Sequence, residues 1–299
     1  MRERFPNFPV SYCGMWENTI LKILESTGSE LHFENIDTNP QGLIALGKAI
    51  KVNVPLTNLT TLSLRGNMIG PNGVFSNVNL SKLAAMDLSS NKIGAEGAKA
   101  LSHGNLSNLT SLDFSLNNIG DEGAKILSQG ILKNLTILNL DNNNIGAQGA
   151  KVLSQGNLFS LTSLALSDND IGVEGAKTLS HGNLSNLTWL NLSRNNIGDE
   201  GAKALSHGNL SNLTSLYLRG SLNFSLNHIR DEGAKALSHG NLSNLIMLDL
   251  YSNNIGDEGA KALSNGNFSS LTSLVLSEND IGDEGKKALK KKFGDKVKF

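Results

Sequence analysis

Leu161-Thr162-Ser163-Leu164-Ala165-Leu166-Ser167-Asp168-Asn169-Asp170-Ile171 is the stretch whose reading decides the fold. Leu164 and Leu166 alternate with small or polar neighbours, the period-two pattern of a strand with one buried face. Asn169 stands where the chain leaves that strand, and its side-chain amide can bond backbone groups that the turn leaves unpaired. Ile171 closes the apolar run and Gly172 permits a tight bend. Val173 to Leu179 then reads as a short helix. Ala176 and Leu179 face inward, and Gly175 lets the helix lie close on the strand layer. Acidic residues in the first turn, such as Asp199 and Glu200 one unit later, complement the helix dipole. Gly182 reads as the C-cap that ends the helix.

This unit recurs. Its turn asparagine falls at Asn67, Asn91, Asn117, Asn143, Asn169, Asn195, Asn227, Asn253 and Asn279, in steps of 24, then 26 four times, then 32, then 26 twice. No single unit can bury its apolar face alone, so the units must stack, and stacked asparagines would form a ladder from one to the next. The architecture that follows is an α/β solenoid, with a parallel β-sheet on the concave face and short helices on the convex face. Residues 31–284 hold about ten units, the first of them degenerate: Leu31-His32-Phe33 is followed by Gly42, but Ile36 stands where asparagine is due. Residues 1–30 read as an N-terminal helical cap, with Trp16, Ile20, Ile23 and Leu24 on one face. Residues 285–299 read as a basic C-terminal cap, its seven lysines between Lys286 and Lys298 a solvated face over the last unit.

One interval breaks the rhythm. After Leu216-Tyr217-Leu218-Arg219-Gly220-Ser221 a second strand-like ending appears, Leu222-Asn223-Phe224-Ser225-Leu226-Asn227, nearly a copy of Leu112-Asp113-Phe114-Ser115-Leu116-Asn117. Six extra residues cannot fit a stacked turn, so the chain must bulge around 219–228, as a tolerated scar of recombination or as a contact loop.

Composition narrows the function. With aromatic residues at 5% the core must be aliphatic, and a formal net charge of −1 speaks against a nucleic-acid partner. Cys13 is the only cysteine, so no intramolecular disulfide forms and a reducing, cytosolic setting is expected. Met1 to Ile20 lacks the apolar core of a Sec signal, which leaves a non-Sec route if the protein is delivered into another cell. No apolar run is long enough to span a membrane. The sequons Asn105-Leu106-Ser107 and Asn108-Leu109-Thr110 are accordingly read as polar turn residues.

No catalytic constellation emerges. Cys13 has no histidine near it in sequence and is read as a buried or capping thiol. His103, His181, His207 and His239 share one slot before the glycine that follows each helix, yet neither a cysteine nor paired carboxylates accompany them, so neither metal nor cofactor is expected.

The motif Leu-x-x-Leu-x-Leu-x-x-Asn-x-Ile, with strand and helix alternating, resembles the ribonuclease-inhibitor-like class of leucine-rich repeats over about residues 31 to 295. The resemblance implies a horseshoe solenoid and fixes the fold far more tightly than the function. The near-identical Asn-Ile-Gly-Asp-Glu-Gly-Ala-Lys-Ala-Leu units are also similar to those of effector proteins that intracellular bacteria, Legionella among them, deliver into host cells. That likeness implies a host protein, or another effector or enzyme, as partner.

Function should then sit where the repeats differ on the concave face. Most concave slots hold serine. Against that background Trp189 and Met247 stand out in a first column, and Asp113, Tyr217 and Asp249 in the next. Asp141, Arg219 and Tyr251 share a third, with Asp168 and Arg194 beside it. Of five Trp and Tyr residues in the chain, three fall on three consecutive units. Large aromatic side chains and arginine are the types that anchor interfaces. The expectation is a non-enzymatic adaptor or inhibitor that occludes a partner protein, the aspartates calling for a basic surface patch on it. The alternative is a sensor of a small or repetitive ligand such as a peptide or glycan.

Overall fold

A computed structural model describes residues 29–32, 34, 59–71, 80–129, 132–221 and 227–299. The expected cap over residues 1–30, with Cys13 and Trp16, falls almost wholly outside them. Strand and helix alternate. The strands are β1 (Glu30–His32), β2 (Thr61–Ser63), β3 (Ala85–Asp87), β4 (Ser111–Asp113), β5 (Ile137–Asn139), β6 (Ser163–Ala165), β7 (Trp189–Asn191), β8 (Ser215–Tyr217), β9 (Met247–Asp249), β10 (Ser273–Val275) and β11 (Val297–Lys298). Each pairs in parallel with its sequence neighbours, in one sheet of order β1 to β11. The helices after β3 onward are α1 (Gly94–Ser102), α2 (Gly120–Gln129), α3 (Ala147–Gln155), α4 (Gly172–His181), α5 (Gly198–His207), α6 (Asp231–His239), α7 (Asp257–Asn265) and α8 (Asp283–Phe293).

The register explains the periodicity. Leu112, Leu138, Leu164, Leu190, Leu216 and Leu248 are neighbours across β4 to β9, and all are buried. The core lies between this leucine layer and the inward faces of the helices, where Ala176 and Leu179 of α4 are buried as their spacing predicts. Parallel sheets are stable when both faces are covered. Here the concave face stays open, and its side chains are the ones free to meet a partner.

Turns are fastened by the asparagine ladder. Asn143 is fully buried; its Oδ1 accepts the N–H groups of Asn117 at 3.1 Å and Ile119 at 3.3 Å in the preceding unit. Its Nδ2 donates to the Phe114 and Asp141 carbonyls at 2.9 and 3.2 Å. An asparagine alone supplies two donors and an acceptor of the right reach at this position. The irregular 32-residue interval obeys the same rule. Asn227 accepts from Asn195 and Ile197, while β8 keeps the strand slot and Gly220 donates to the Tyr251 carbonyl. The extra residues therefore enter between Gly220 and Asn227; 222–226 lie outside the described residues.

Gly182 ends α4 as its C-cap, as expected, with an extended backbone at φ −80° and ψ −168°. A side chain there would press on Cβ and the carbonyl of Ser154, each 2.5 Å from where its Cβ would sit, so glycine is required by close approach of consecutive helices. Asp199 does more than complement its own helix. Its Oδ1 accepts the N–H groups of Arg230 at 2.7 Å and Gly233 at 2.9 Å, capping the next helix, α6. Asp121, Asp231 and Asp257 cap α3, α7 and α8 in the same way. Where the preceding unit instead offers Val173, Gly198 turns to φ +62° and donates to the Asn227 carbonyl. Arg230 occupies this glycine slot with φ −109°, a conformation open to any residue because Asp199 fixes it there.

After α8 a 3-10 turn (Gly294–Lys296) leads to β11, which pairs with β10. The sheet thus extends to Val297–Lys298 within the basic segment, with Phe293 and Val297 buried beneath it.

Candidate functional site

Parallel pairing carries the concave columns from one unit to the next. Ser111, Ile137, Ser163, Trp189, Ser215 and Met247 are successive partners in the first column. Asp113, Asn139, Ala165, Asn191, Tyr217 and Asp249 follow in the second. Trp189, Tyr217, Met247 and Tyr251 are all partly exposed, neither core nor free in solvent. Trp189 and Tyr217 meet at 5.3 Å between ring centroids with a 46° tilt, within the favourable range for aromatic pairs.

Arg219 organises the far side of this patch. Its Nε donates to Asp249 Oδ2 at 2.6 Å, and its guanidinium carbon lies 5.6 Å from the Tyr251 ring centroid. Asp249 is fully buried, and its Oδ1 accepts the Tyr251 N–H at 3.0 Å. That overturns its reading as a surface acid, because both of its oxygens are engaged within the fold.

The other carboxylates form a separate group over β4 to β6. Asp113 accepts from the Ser115 N–H and hydroxyl through Oδ1 and from Asn139 Nδ2 through Oδ2. Asp141 accepts the Ser167 N–H at 2.6 Å. Burial pushes its pKa up from 3.8 to about 6; the Ser167 N–H opposes this, while Asp168 and Asp113 add to it. Asp168, in a left-handed turn at φ 54°, is bridged at 3.2 Å by Arg194. The ten expected residues therefore divide in two: an aromatic and arginine group at β7 to β9, and an acidic group at β4 to β6 that Arg194 borders.

Comparison with known proteins adds the family. The family described as Leucine Rich repeat matches residues 56–76, 79–102, 105–128, 132–154, 157–180, 183–206, 221–238, 241–264 and 269–290. The chain is a leucine-rich-repeat protein. None of the curated proteins matches it. Among solved structures it is similar to an internalin from Listeria monocytogenes, with 21% identity over 100% of this chain and 96% of that one, and a TM-score of 0.46.

In this leucine-rich-repeat protein the structure adds a residue that the column reading passed over. Ile246 is 46% exposed beside Met247, in the slot that elsewhere holds Thr110, Thr136, Thr162, Thr188, Thr214 and Thr272. Those threonines bond the carbonyl of the preceding unit, as Thr188 does to Thr162, so the break in their column was the available signal. The histidines stand apart from this face. His181, His207 and His239 are exposed at helix ends, and each Nδ1 lies about 3 Å from the carbonyl four residues before it. Among the described residues no group of three or more potential metal ligands occurs, and no helix is long and apolar enough to cross a membrane.

Proposed function

We propose that this protein is a non-enzymatic binding module that wraps part of a partner protein in its concave face and occludes it. The observation that carries the reading is the placement of Trp189, Tyr217 and Met247 on three consecutive strands, with Tyr251 just beyond the last, on an otherwise serine-rich surface. Half-buried side chains of this kind, with Trp189 packed on Tyr217 and Tyr251 on Arg219, are what interface hot spots are made of. Asp113, Asp141 and Asp168 give the neighbouring repeats a negative surface, which suits a basic patch on the partner and an association that slows as salt rises. The lone cysteine suits a reducing cytosol, the protein's own or that of a host cell reached by a non-Sec route. The resemblance of the repeats to the ribonuclease-inhibitor-like class and to effector proteins favours an enzyme or a second effector as the protein occluded.

The test is affinity capture from bacterial and host lysates, followed by titration of the purified partner. Trp189→Ala or Tyr251→Ala is expected to cost about 2–4 kcal/mol of binding, while Ser111→Ala costs almost nothing. Because these rings stand off the core, Trp189→Ala should lower folding stability by only about 1 kcal/mol. A Trp189→Ala protein that binds normally places the site elsewhere.

A further inference from the structure

We propose that Arg219 is a recognition residue for a carboxylate, an Asp or Glu side chain of the partner set beside the large apolar residue that enters the Trp189–Tyr217–Met247 patch. This rests on the concave face being the binding surface, and it adds an acidic group to a partner otherwise expected to be basic. The two arginines of the site are not equivalent. Arg194 already bridges Asp168 through Nη1. Among the described residues the Arg219 guanidinium makes one hydrogen bond, from Nε to a carboxylate that is itself fully buried, which leaves Nη1 and Nη2 without a hydrogen bond there.

The side chain is 51% exposed, held from below by Asp249 and against Tyr251 on its flank. A guanidinium fixed in this way has lost most of its rotamer freedom in the free protein and presents two donors in a rigid fork, the geometry that a carboxylate accepts in bidentate fashion. The fork lies next to aromatic surface, so the ligand chemistry is a carboxylate and an apolar side chain together. Asp141 shares Arg219's column three strands earlier, from β5 to β8, at about 4.8 Å per strand. The negative and positive ends of the site are thus about 14 Å apart, or about four residues of an extended segment laid across the strands.

The probes are fluorescently labelled peptides in which lysine and a Trp-Leu-Glu core are separated by that spacing, made in both chain directions, with Gln and Lys counterparts of the Glu. The Glu peptide of one direction is expected to bind the wild-type protein at least about tenfold more tightly than its Gln counterpart. Arg219→Glu should invert the preference, so that the Lys peptide binds better than the Glu peptide. Trp189→Ala should weaken every peptide alike. If Trp189→Ala weakens all of them but wild type does not distinguish Glu, Gln and Lys, Arg219 takes no carboxylate and the inference fails while the concave site stands. If Trp189→Ala changes nothing, or no peptide binds saturably, the reading beneath fails and the inference with it.

Discussion

At the level of single side chains, the fold depends on groups whose partners lie one unit away. Asn143 satisfies two N–H groups of the preceding turn and donates to two carbonyls, all in or at the edge of the core. Asn143→Ala leaves these groups unpaired and is expected to cost about 3 kcal/mol, measured by denaturant unfolding. Asp141 gives a prediction of opposite sign. Its folded pKa of about 6 lies above its ordinary 3.8, so between these values the native chain keeps a proton that the unfolded chain has lost. Stability therefore falls as pH rises through that window and stays lower above it. Asn can still accept the Ser167 N–H at this position. Asp141→Asn should flatten the profile between about pH 4 and 6 and raise stability at pH 7 by on the order of 1 kcal/mol, screening by the solvent that reaches it holding the gain down. Unfolding curves at about pH 4.5 and 7 test both statements.

For the helices, the two forms of the entry turn give a prediction that separates equal-looking residues. Asp199 and Asp231 each cap the next helix with two N–H bonds. Losing either cap costs about 1 kcal/mol or somewhat more. After Asp231→Ala, however, Gly256 is free to take the positive φ that Gly198 shows. After Asp199→Ala the same escape is closed, because Arg230 would meet the left-handed penalty of about 1–2 kcal/mol. Asp199→Ala is thus expected to be the more destabilising by about 1 kcal/mol, and Arg230→Gly in that background should recover the difference. Equal losses for the two aspartates in thermal unfolding would show that the turn is fixed by something else.

These elements show what periodicity can carry and what it cannot. The buried positions Leu164, Leu166, Ile171, Ala176 and Leu179, and the turn asparagines, follow from spacing because each answers to a repeat of itself. The cross-unit cap by Asp199, the extended Gly182 and the burial of Asp249 do not, because each is decided by a contact with a residue of the neighbouring unit, 28 to 34 residues away. β11 stayed hidden for a different reason. Val297–Lys298 is only two residues, follows Lys296 in a lysine-rich segment, and owes its strand to the open edge of β10. In the candidate site the columns were readable from the alternation, but the division of charge was not, since it rests on which arginine pairs with which aspartate.

Across the whole molecule, the open sheet distributes its polarity along the solenoid, acidic over β4 to β6 and aromatic with a fixed arginine over β7 to β9. The convex side offers a different surface, where Lys177 pairs with Glu174 and Lys261 with both Glu258 and Glu284. Such exposed pairs contribute little individually. The central claim is that binding uses the concave face, and site-specific photocrosslinking measures it most directly. A photoreactive phenylalanine analogue placed at Tyr217 should crosslink the captured partner, and the same analogue at Lys203 on the convex helix α5 should not. A crosslink from Lys203 with none from Tyr217 would contradict the account.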